Sequence, residues 1–551
     1  MTKNYTVAFR NIKSVIVDDN STYYDVSKYF KRYYDYDIVL CKANNDFVDL
    51  SDKVKRDCDI DFYDRSSLVG NRAYARGARY ILLLAVEKVL GSSAKLVCHH
   101  SQDKGVYCVI NNASIDADVI LKIEREMHRI VDSNYVFEKN TVSRMDAIKY
   151  FSDKGMMDKV NVLKYVSNTY INLYKVDGKY GYFYGKMPYS TGQVKDFKLI
   201  YIDNNGFVMQ LPDTINPECV LEYKHYKKVF DKFNEYTKWG NNLNIVNAAD
   251  LNKVVSSGNI SELIRLSETY YNKQLSDIAD EIEKSGKKVV LIAGPSSSGK
   301  TTTAKKLAVY LKSLGYTPHP ISIDDYFFNV SDRQKDENGE YNFETLDVVD
   351  VELFNQHLTK LLEGKEVILP IFNFTTGRRE YRKEGLKIDE KDIIIIEGIH
   401  ALNDKLTMTL NRSEKFKIYI SPLTQINIDS HTHVHTSDTR KLRRIIRDNK
   451  TRSKGASETL KMWGNITKGE INNIFPYQDS VDAVINSALI YELGVLKTYA
   501  EPLLFNVKED SSEYPEALRL IRFLRNFLAI PSEDIPSDSL LREFIGGSSF
   551  E

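Results

Sequence analysis

The chain of 551 residues has little cysteine: five residues, at Cys41, Cys58, Cys98, Cys108 and Cys219. Their number is odd and no pair has CxxC spacing. A disulfide framework and a Cys-rich zinc site are both disfavoured, and a reducing compartment is expected. Excess charge of either sign is missing too, since Lys+Arg and Asp+Glu each count 76. That speaks against a polyanion binder with a wholly basic surface, though a local basic patch stays open. No apolar run approaches the roughly 18 residues of a membrane span; the best, residues 81–86 and 393–396, are core-sized. The opening MTKNYTVAFRNIKS lacks the uninterrupted apolar stretch of a signal peptide. A cytoplasmic protein with no membrane contact is expected. Repeats and low-complexity tracts are missing as well, and the 2 tryptophans beside 36 tyrosines carry no functional signal.

What is present is ordinary in bulk, with 42% apolar and 28% charged residues. At about 150 residues per domain the length suggests about three or four domains, with ample chain for several cores. In residues 1–65, YTVAFRN, SVIVDDN, a helical stretch over 24–33, DIVLCKANN and DIDFYD read strand, strand, helix, strand, strand, the order of a small β-grasp module. An apolar helix is predicted over 74–90, closed by Gly91. It opens an α+β region, 66–235, with strands KLVCHH, GVYCVIN, GYFYGKM and FKLIYID. Residues 236–286 read as a helical connector, carrying Leu263, Leu266, Tyr270, Leu275, Ile278 and Ile282 at roughly helical spacing and ended by Gly286. At Lys287 the style changes. KKVVLIAG is a strand of the buried, parallel-sheet kind, followed by a Gly-rich loop and an amphipathic helix with Ala304, Leu307, Ala308, Leu311 and Leu314 on one face. Residues 287–551 are therefore expected to form a doubly wound α/β domain.

The loop Gly294-Pro295-Ser296-Ser297-Ser298-Gly299-Lys300-Thr301, continued by Thr302, satisfies G-x-x-x-x-G-K-[ST] between strand and helix. Gly294 and Gly299 let the backbone curl so that N–H groups face phosphate oxygens, and the helix N-terminus adds its dipole. Lys300 is suited to the β- and γ-phosphates and the Thr301 hydroxyl to Mg²⁺. This is the pattern of a nucleoside triphosphate site, for ATP or GTP. A GTPase would also carry a base-reading NKxD, which does not occur; NVKED at 506 is a loose echo. After the predicted strand PISID, Asp324 is placed to accept a hydroxyl proton. A third strand, DIIII, ends in Glu397, which could hold Mg²⁺ or its water. Arg440, Arg443, Arg444 and Arg447 share one predicted helical face and are followed by Lys450, Arg452 and Lys454. With Lys441 that makes eight positive groups in 15 residues, offset by Asp448 alone, as suits a flap over phosphates.

Taken together, residues 287–500 resemble the uridine kinase and phosphoribulokinase family of P-loop kinases. GPSSSGKT looks like its phosphate loop and ISIDDYF like its segment bearing the base. The resemblance implies Asp324 as the base for a 5′-hydroxyl and Phe327 as a nucleoside contact. YNFETLDVVD, with Phe343, is similar to the family's YNFDHPDAFD, which puts Glu344 where an Asp holds ribose hydroxyls. PIFNFTTGRR is similar to PxYDFxxHxR, IIIIEGIHAL to the strand bearing the metal carboxylate, and RRIIRDNKTRSKG to the arginine-rich lid. On this reading Lys300 and Arg447 assist transfer, Arg452 and Lys454 meet ATP, and Arg444 and Arg447 meet the acceptor. A Tyr and a His that help read a pyrimidine in that family are replaced here by Phe372 and Gly377, leaving Phe372, Phe374 and Ile399 to sandwich a ring. The front half resembles threonyl-tRNA synthetases: residues 1–65 a TGS domain, and YARGARYILLLAV the editing domain's RHSxxHLLAxAV. The positions of the editing groups hold Arg76, Tyr80, Gly185 and Tyr189, so no editing is expected.

Two further clusters have blander readings. His431, His433 and His435 alternate in HTHVHT as a metal site could require, but the segment reads as a polar loop before the arginine-rich helix. Cys98, His99, His100 and Cys108 read as half-buried strand, because neighbours on a strand face opposite ways. The expected function is an ATP- or GTP-dependent, Mg²⁺-requiring kinase of a nucleoside 5′-hydroxyl, uridine or cytidine foremost. The competing readings are a kinase of another sugar or sugar phosphate, and an RNA- or ribosome-associated nucleotide-binding regulator. Zero net charge weighs against nucleic acid; a homo-oligomer is compatible with the sequence.

Overall fold

A computed structural model describes residues 3–10, 12–332 and 344–550. Strands Asn4–Phe9 and Lys13–Asp18 pair antiparallel, and the first also runs parallel to Cys58–Tyr63. Helix Tyr23–Phe30, opened by a Thr22/Asp25 capping box, packs Val26 and Phe30 against Val7, Phe9 and Phe62. Leu40–Ala43 and Asp46–Val48 complete a five-stranded sheet. The expected order therefore gains one strand. Asn44 and Asn45, both at positive φ (45° and 64°), turn the chain back into a three-residue strand too short to show periodicity.

The apolar helix runs Leu68–Leu90, starting before the predicted residue 74 because Ser67 caps it by accepting from the Gly70 amide. It ends at Gly91 with φ 85°, as the sequence suggests. Lys95–Gln102, Gly105–Asn111, Gly206–Gln210 and Lys198–Asp203 form an antiparallel sheet beside it. A second sheet joins Glu138–Ser143, Tyr170–Val176 and Lys179–Gly181. The predicted strand GYFYGKM is not one beyond Gly181. Past Gly181 the segment finds no pairing partner among the described residues, and Gly185 sits at φ 117°, outside the extended region of a strand.

Downstream, five parallel strands lie in the order Thr317–Ser322, Asp392–Glu397, Val289–Ala293, Lys415–Ser421, Ala483–Asn486. Alternate residues of Val289–Ala293 feed two cores. Val289 and Leu291 pack with Ile394, Ile396, Phe354 and Leu358; Val290 and Ile292 pack with Leu307, Leu311, Leu442 and Ile446. Helix Ile260–Ser285, ending at Gly286 with φ 63°, lays Leu263, Tyr271, Leu275, Ile278 and Ile282 into that second core. It is a layer of the α/β domain. Of the residues predicted for its apolar face, Leu266 points outward and Tyr270 stacks on Trp239 instead.

HTHVHT is not a solvated loop. Asn427–Asp429 pairs with Thr432–His433, and His431 and His433 are each 4% exposed, because this hairpin lies against strand Lys95–Gln102 of the front half. Among the described residues no group of three His, Cys, Asp or Glu could hold a metal ion, and no helix is long and apolar enough to cross a membrane.

Candidate active site

The loop 294–301 joins strand Val289–Ala293 to helix Lys300–Ser313, and its glycines are required by space. A Cβ on Gly294 would run into the carbonyl of Ile420; one on Gly299, already at φ 86°, would come within 2.6 Å of Leu540. Ser297 also adopts a positive φ of 59°. The hydroxyls of Ser297 and Ser298 are buried without a partner, as expected of groups awaiting phosphate oxygens. Lys300 Nζ turns back to Gly294 O (3.0 Å) and Pro295 O (3.3 Å). Burial lowers its pKa, while Glu397 and Asp324 oppose that shift.

Three carboxylates surround this lysine. Glu397 closes its strand 7% exposed, accepts from Thr301 Oγ1 at 3.1 Å, and is pushed up to about 7 by burial and then by Asp324. The strand expected to carry Asp324 ends at Ser322, so Asp324 sits in the short 3-10 turn Ile323–Tyr326. Its field acts on Lys300, Glu397 and Glu344 alike. Glu344 is also pushed up to about 7, by burial first, with Arg444 and Lys300 opposing. Asp325 turns away and accepts from the Phe372 amide at 3.1 Å. Phe327 and Phe372 pack edge-on with centroids 5.6 Å apart and are 3% and 4% exposed. They are core residues, and Phe374, 50% exposed, is the ring that faces outward, with the Arg452 guanidinium 5.2 Å above it. Ile399 is half-buried beside them. Phe343 lies outside the described residues.

In the arginine-rich helix Thr436–Arg452, expected as a flap over phosphates, the C-terminal end with Lys450 and Arg452 is exposed. Arg440, Arg443 and Arg444 are buried behind the loop. Arg440 pairs bidentately with Glu470, whose Oε1 also accepts from the Ser296 amide at 2.9 Å. Arg443 donates to Glu492 (2.8 Å) and Ser487 O (2.7 Å) and stands over the Phe544 ring. Arg444 bonds Ser296 Oγ and Asp448. Arg447 and Arg452 gather on Asp448 at 3.1 and 3.7 Å. The predicted single face holds: Leu442, Ile445 and Ile446 fill one core, while Arg440, Arg443 and Arg444 face the loop and are neutralised by Glu470, Glu492 and Asp448. Lys454 meets Met462 Sδ at 3.6 Å.

Several residues escaped the sequence. Glu470 and Glu492 stand on other helices with no motif around them; Glu543, which accepts from Thr302 Oγ1 at 2.6 Å, lies 241 residues away. Arg379 straps the turn by donating to Tyr326 O (2.9 Å), Phe327 O (3.0 Å) and Asp350 (2.9 Å). Its signal in the sequence is the closing arginine of PIFNFTTGRR, the position of the Arg in the similar PxYDFxxHxR.

In the front half the editing-like positions are filled. The Arg76 guanidinium covers Gly185, where a Cβ would stand 2.8 Å from its Cζ, and Arg76 Nε donates to Lys186 O at 2.8 Å. Tyr80 donates to Tyr174 O and Lys179 O from inside the core. Tyr189 stacks on Tyr24 of the first sheet's helix at 3.6 Å. Asp49 enters from the same sheet to accept from Tyr174 (2.8 Å) and the Met187 amide (3.2 Å).

Residues 289–490 match the model of the "PRK: Phosphoribulokinase / Uridine kinase family". A uridine kinase of Staphylococcus haemolyticus is 29% identical over 198 residues, 36% of this chain and 86% of the relative. A threonine–tRNA ligase of Wolbachia pipientis subsp. Culex pipiens is 27% identical over 165 residues, 30% of this chain and 26% of the ligase, and its match falls in the N-terminal region. Among solved structures, one titled as a possible uridine kinase from Bacillus stearothermophilus is 23% identical, covering 27% of this chain and 79% of its own, with a TM-score of 0.23.

Proposed function

We propose, from the premise that residues 289–490 are a domain of the phosphoribulokinase/uridine kinase family, that the chain transfers the γ-phosphoryl group of ATP to the 5′-hydroxyl of a nucleoside, uridine or cytidine foremost. The observation that carries the reading is the convergence of Lys300, Asp324 and Glu397 at the mouth of the loop. Asp324 would take the proton as the hydroxyl oxygen attacks in line, and Lys300 would leave its carbonyl partners for the phosphate oxygens. Thr301 and Glu397 form an all-oxygen donor pair of the kind Mg²⁺ takes, and Mg²⁺ bound there would neutralise charge on the phosphates. Glu344, among Arg444, Lys300 and Asp324, is placed to accept from acceptor hydroxyls.

A second reading keeps the chemistry and changes the acceptor to another sugar or sugar phosphate. Phe372 is 4% exposed and Gly377 rests on Val330, so neither position offers a polar group to a base. The test is an acceptor screen following ADP release with nucleosides, sugars and sugar phosphates. Turnover with uridine or cytidine supports the first reading. Turnover with a sugar alone supports the second, and none with any acceptor overturns both.

A further inference from the structure

The helix that backs the phosphate loop begins in the grip of the front half. Helix Thr436–Arg452 follows directly on the hairpin of Asn427–Asp429 and Thr432–His433. Across that hairpin the Cys98 amide donates to Ser430 O (2.7 Å) and Asn427 Nδ2 to Cys98 O (2.9 Å). Lys159 pairs with Asp429 at 2.6 Å, both side chains fully buried.

The helix's first turn is then fixed by charge. Asp438 takes both guanidinium nitrogens of Arg519, at 2.6 and 2.8 Å, and lies 3.6 Å from Arg72. Arg72 also donates to Glu516 (2.9 Å), which pairs with Lys441 and Arg519. Arg72 stands on the front half's helix Leu68–Leu90, Asp438 and Lys441 on the arginine-rich helix, Glu516 and Arg519 on Tyr514–Leu524. Burial holds Lys441 down to about 8, while the cations around Asp438 keep its carboxyl well below the usual range. At about 1.5 Å per residue, Arg440, Arg443 and Arg444 follow within about 9 Å of Asp438, against Ser296 and Ser297.

We propose that the front half is a positioning element of the phosphate loop, with Arg72 as its contact. Fixing Asp438 sets where the next two turns of the helix press on Ser296 and Ser297, so donor affinity is tied to a residue in the region similar to threonine–tRNA ligase. The inference rests on the reading of residues 294–302 as the triphosphate site. It runs against a purely modular chain, which the location of every transferring group downstream of residue 286 would otherwise suggest.

Removing Arg72 leaves two cations facing two carboxylates, so no buried charge is stranded and the variant should fold. In the full-length protein, Arg72→Met should raise KM for ATP by about 5-fold or more, the size of a modest intersite coupling. KM for the acceptor should stay within about 2-fold, and Arg72→Lys should recover most of the loss. An unchanged KM for ATP in folded Arg72→Met overturns the proposal. If that variant does not fold, hydrogen exchange of the wild-type chain with a non-hydrolysable ATP analogue decides instead. Slowed exchange in residues 68–76 and 427–433 supports the coupling, and protection confined to the loop and its helix overturns it. The hydrogen-exchange measurement with a non-hydrolysable analogue needs no acceptor, so an error about the acceptor would show in the acceptor screen and leave that measurement standing.

Discussion

Thr301 and Glu397, 96 residues apart, meet through a 3.1 Å hydrogen bond from hydroxyl to carboxylate, at the point where the first helical turn faces the end of the neighbouring strand. A loop residue and a strand residue are thereby preset as a pair of oxygen donors. Glu397 is a buried acid pushed up to about 7, and Mg²⁺ needs it ionised. Below about pH 7 the metal must displace a proton, so Mg²⁺ affinity should fall toward tenfold per pH unit and level off above it. Calorimetric titration in two buffers of different ionisation heat should detect close to one proton released per Mg²⁺ a unit or more below 7 and almost none well above it. Glu397→Gln should abolish that proton release, and release that persists would assign it to another group.

Lys300 and Asp324 should separate binding from chemistry. Lys300→Ala removes a charge needed most in the transition state, and kcat should drop by roughly 10²-fold or more. Asp324→Asn keeps size and polarity but cannot take the hydroxyl proton, so kcat should fall about 10²–10⁴-fold with the dissociation constant for ATP nearly unchanged. Loss of ATP binding in Asp324→Asn would instead give that residue to the metal or the fold.

Glu470 carries a structural prediction. It is 1% exposed, neutralises Arg440 and accepts from the Ser296 amide. Glu470→Ala strands a buried guanidinium, a loss of about 3–5 kcal/mol. Chemical denaturation should show a lower midpoint, and ATP affinity should weaken because the loop loses its anchor. A variant as stable as wild type would mean that Arg440 finds water or another acceptor.

The fold of the loop and the placing of Asp324 and Glu397 beside it were legible in the sequence because the chemistry of phosphate binding demands particular residue types at short spacing beside a buried strand. The role of the arginines was not. Their sign and spacing suited a flap over phosphates, and what neutralises them is Glu470, Glu492 and Asp448, two of which lie on other helices. Leu266 and Tyr270 were misplaced too. The buried stripe runs through Leu263, Ile264, Tyr271, Leu275, Ile278 and Ile282, and Leu266 and Tyr270 each fall one residue outside it. The 4% exposure of Phe372 was not legible, because aromatic residues serve cores and pockets alike and the sequence does not give burial.

Gly185 and Arg76 allow a last test, in the front half. Burial, reinforced by Arg79, holds the Arg76 guanidinium down to about 9, and its Cζ would stand 2.8 Å from a Cβ at residue 185. Gly185 also adopts φ 117°, so a side chain there is strained whatever the space. Gly185→Ala should therefore destabilise the full chain by about 1–3 kcal/mol. In Arg76→Ala/Gly185→Ala the steric part of that loss should vanish and the backbone part remain, so the two substitutions should be non-additive in a denaturation cycle. The same packing leaves no thiol and no imidazole at the four editing-like positions, and the wild-type protein should not deacylate a mischarged tRNA. A neutral Gly185→Ala would show that Arg76 swings aside and that the backbone at residue 185 relaxes without cost.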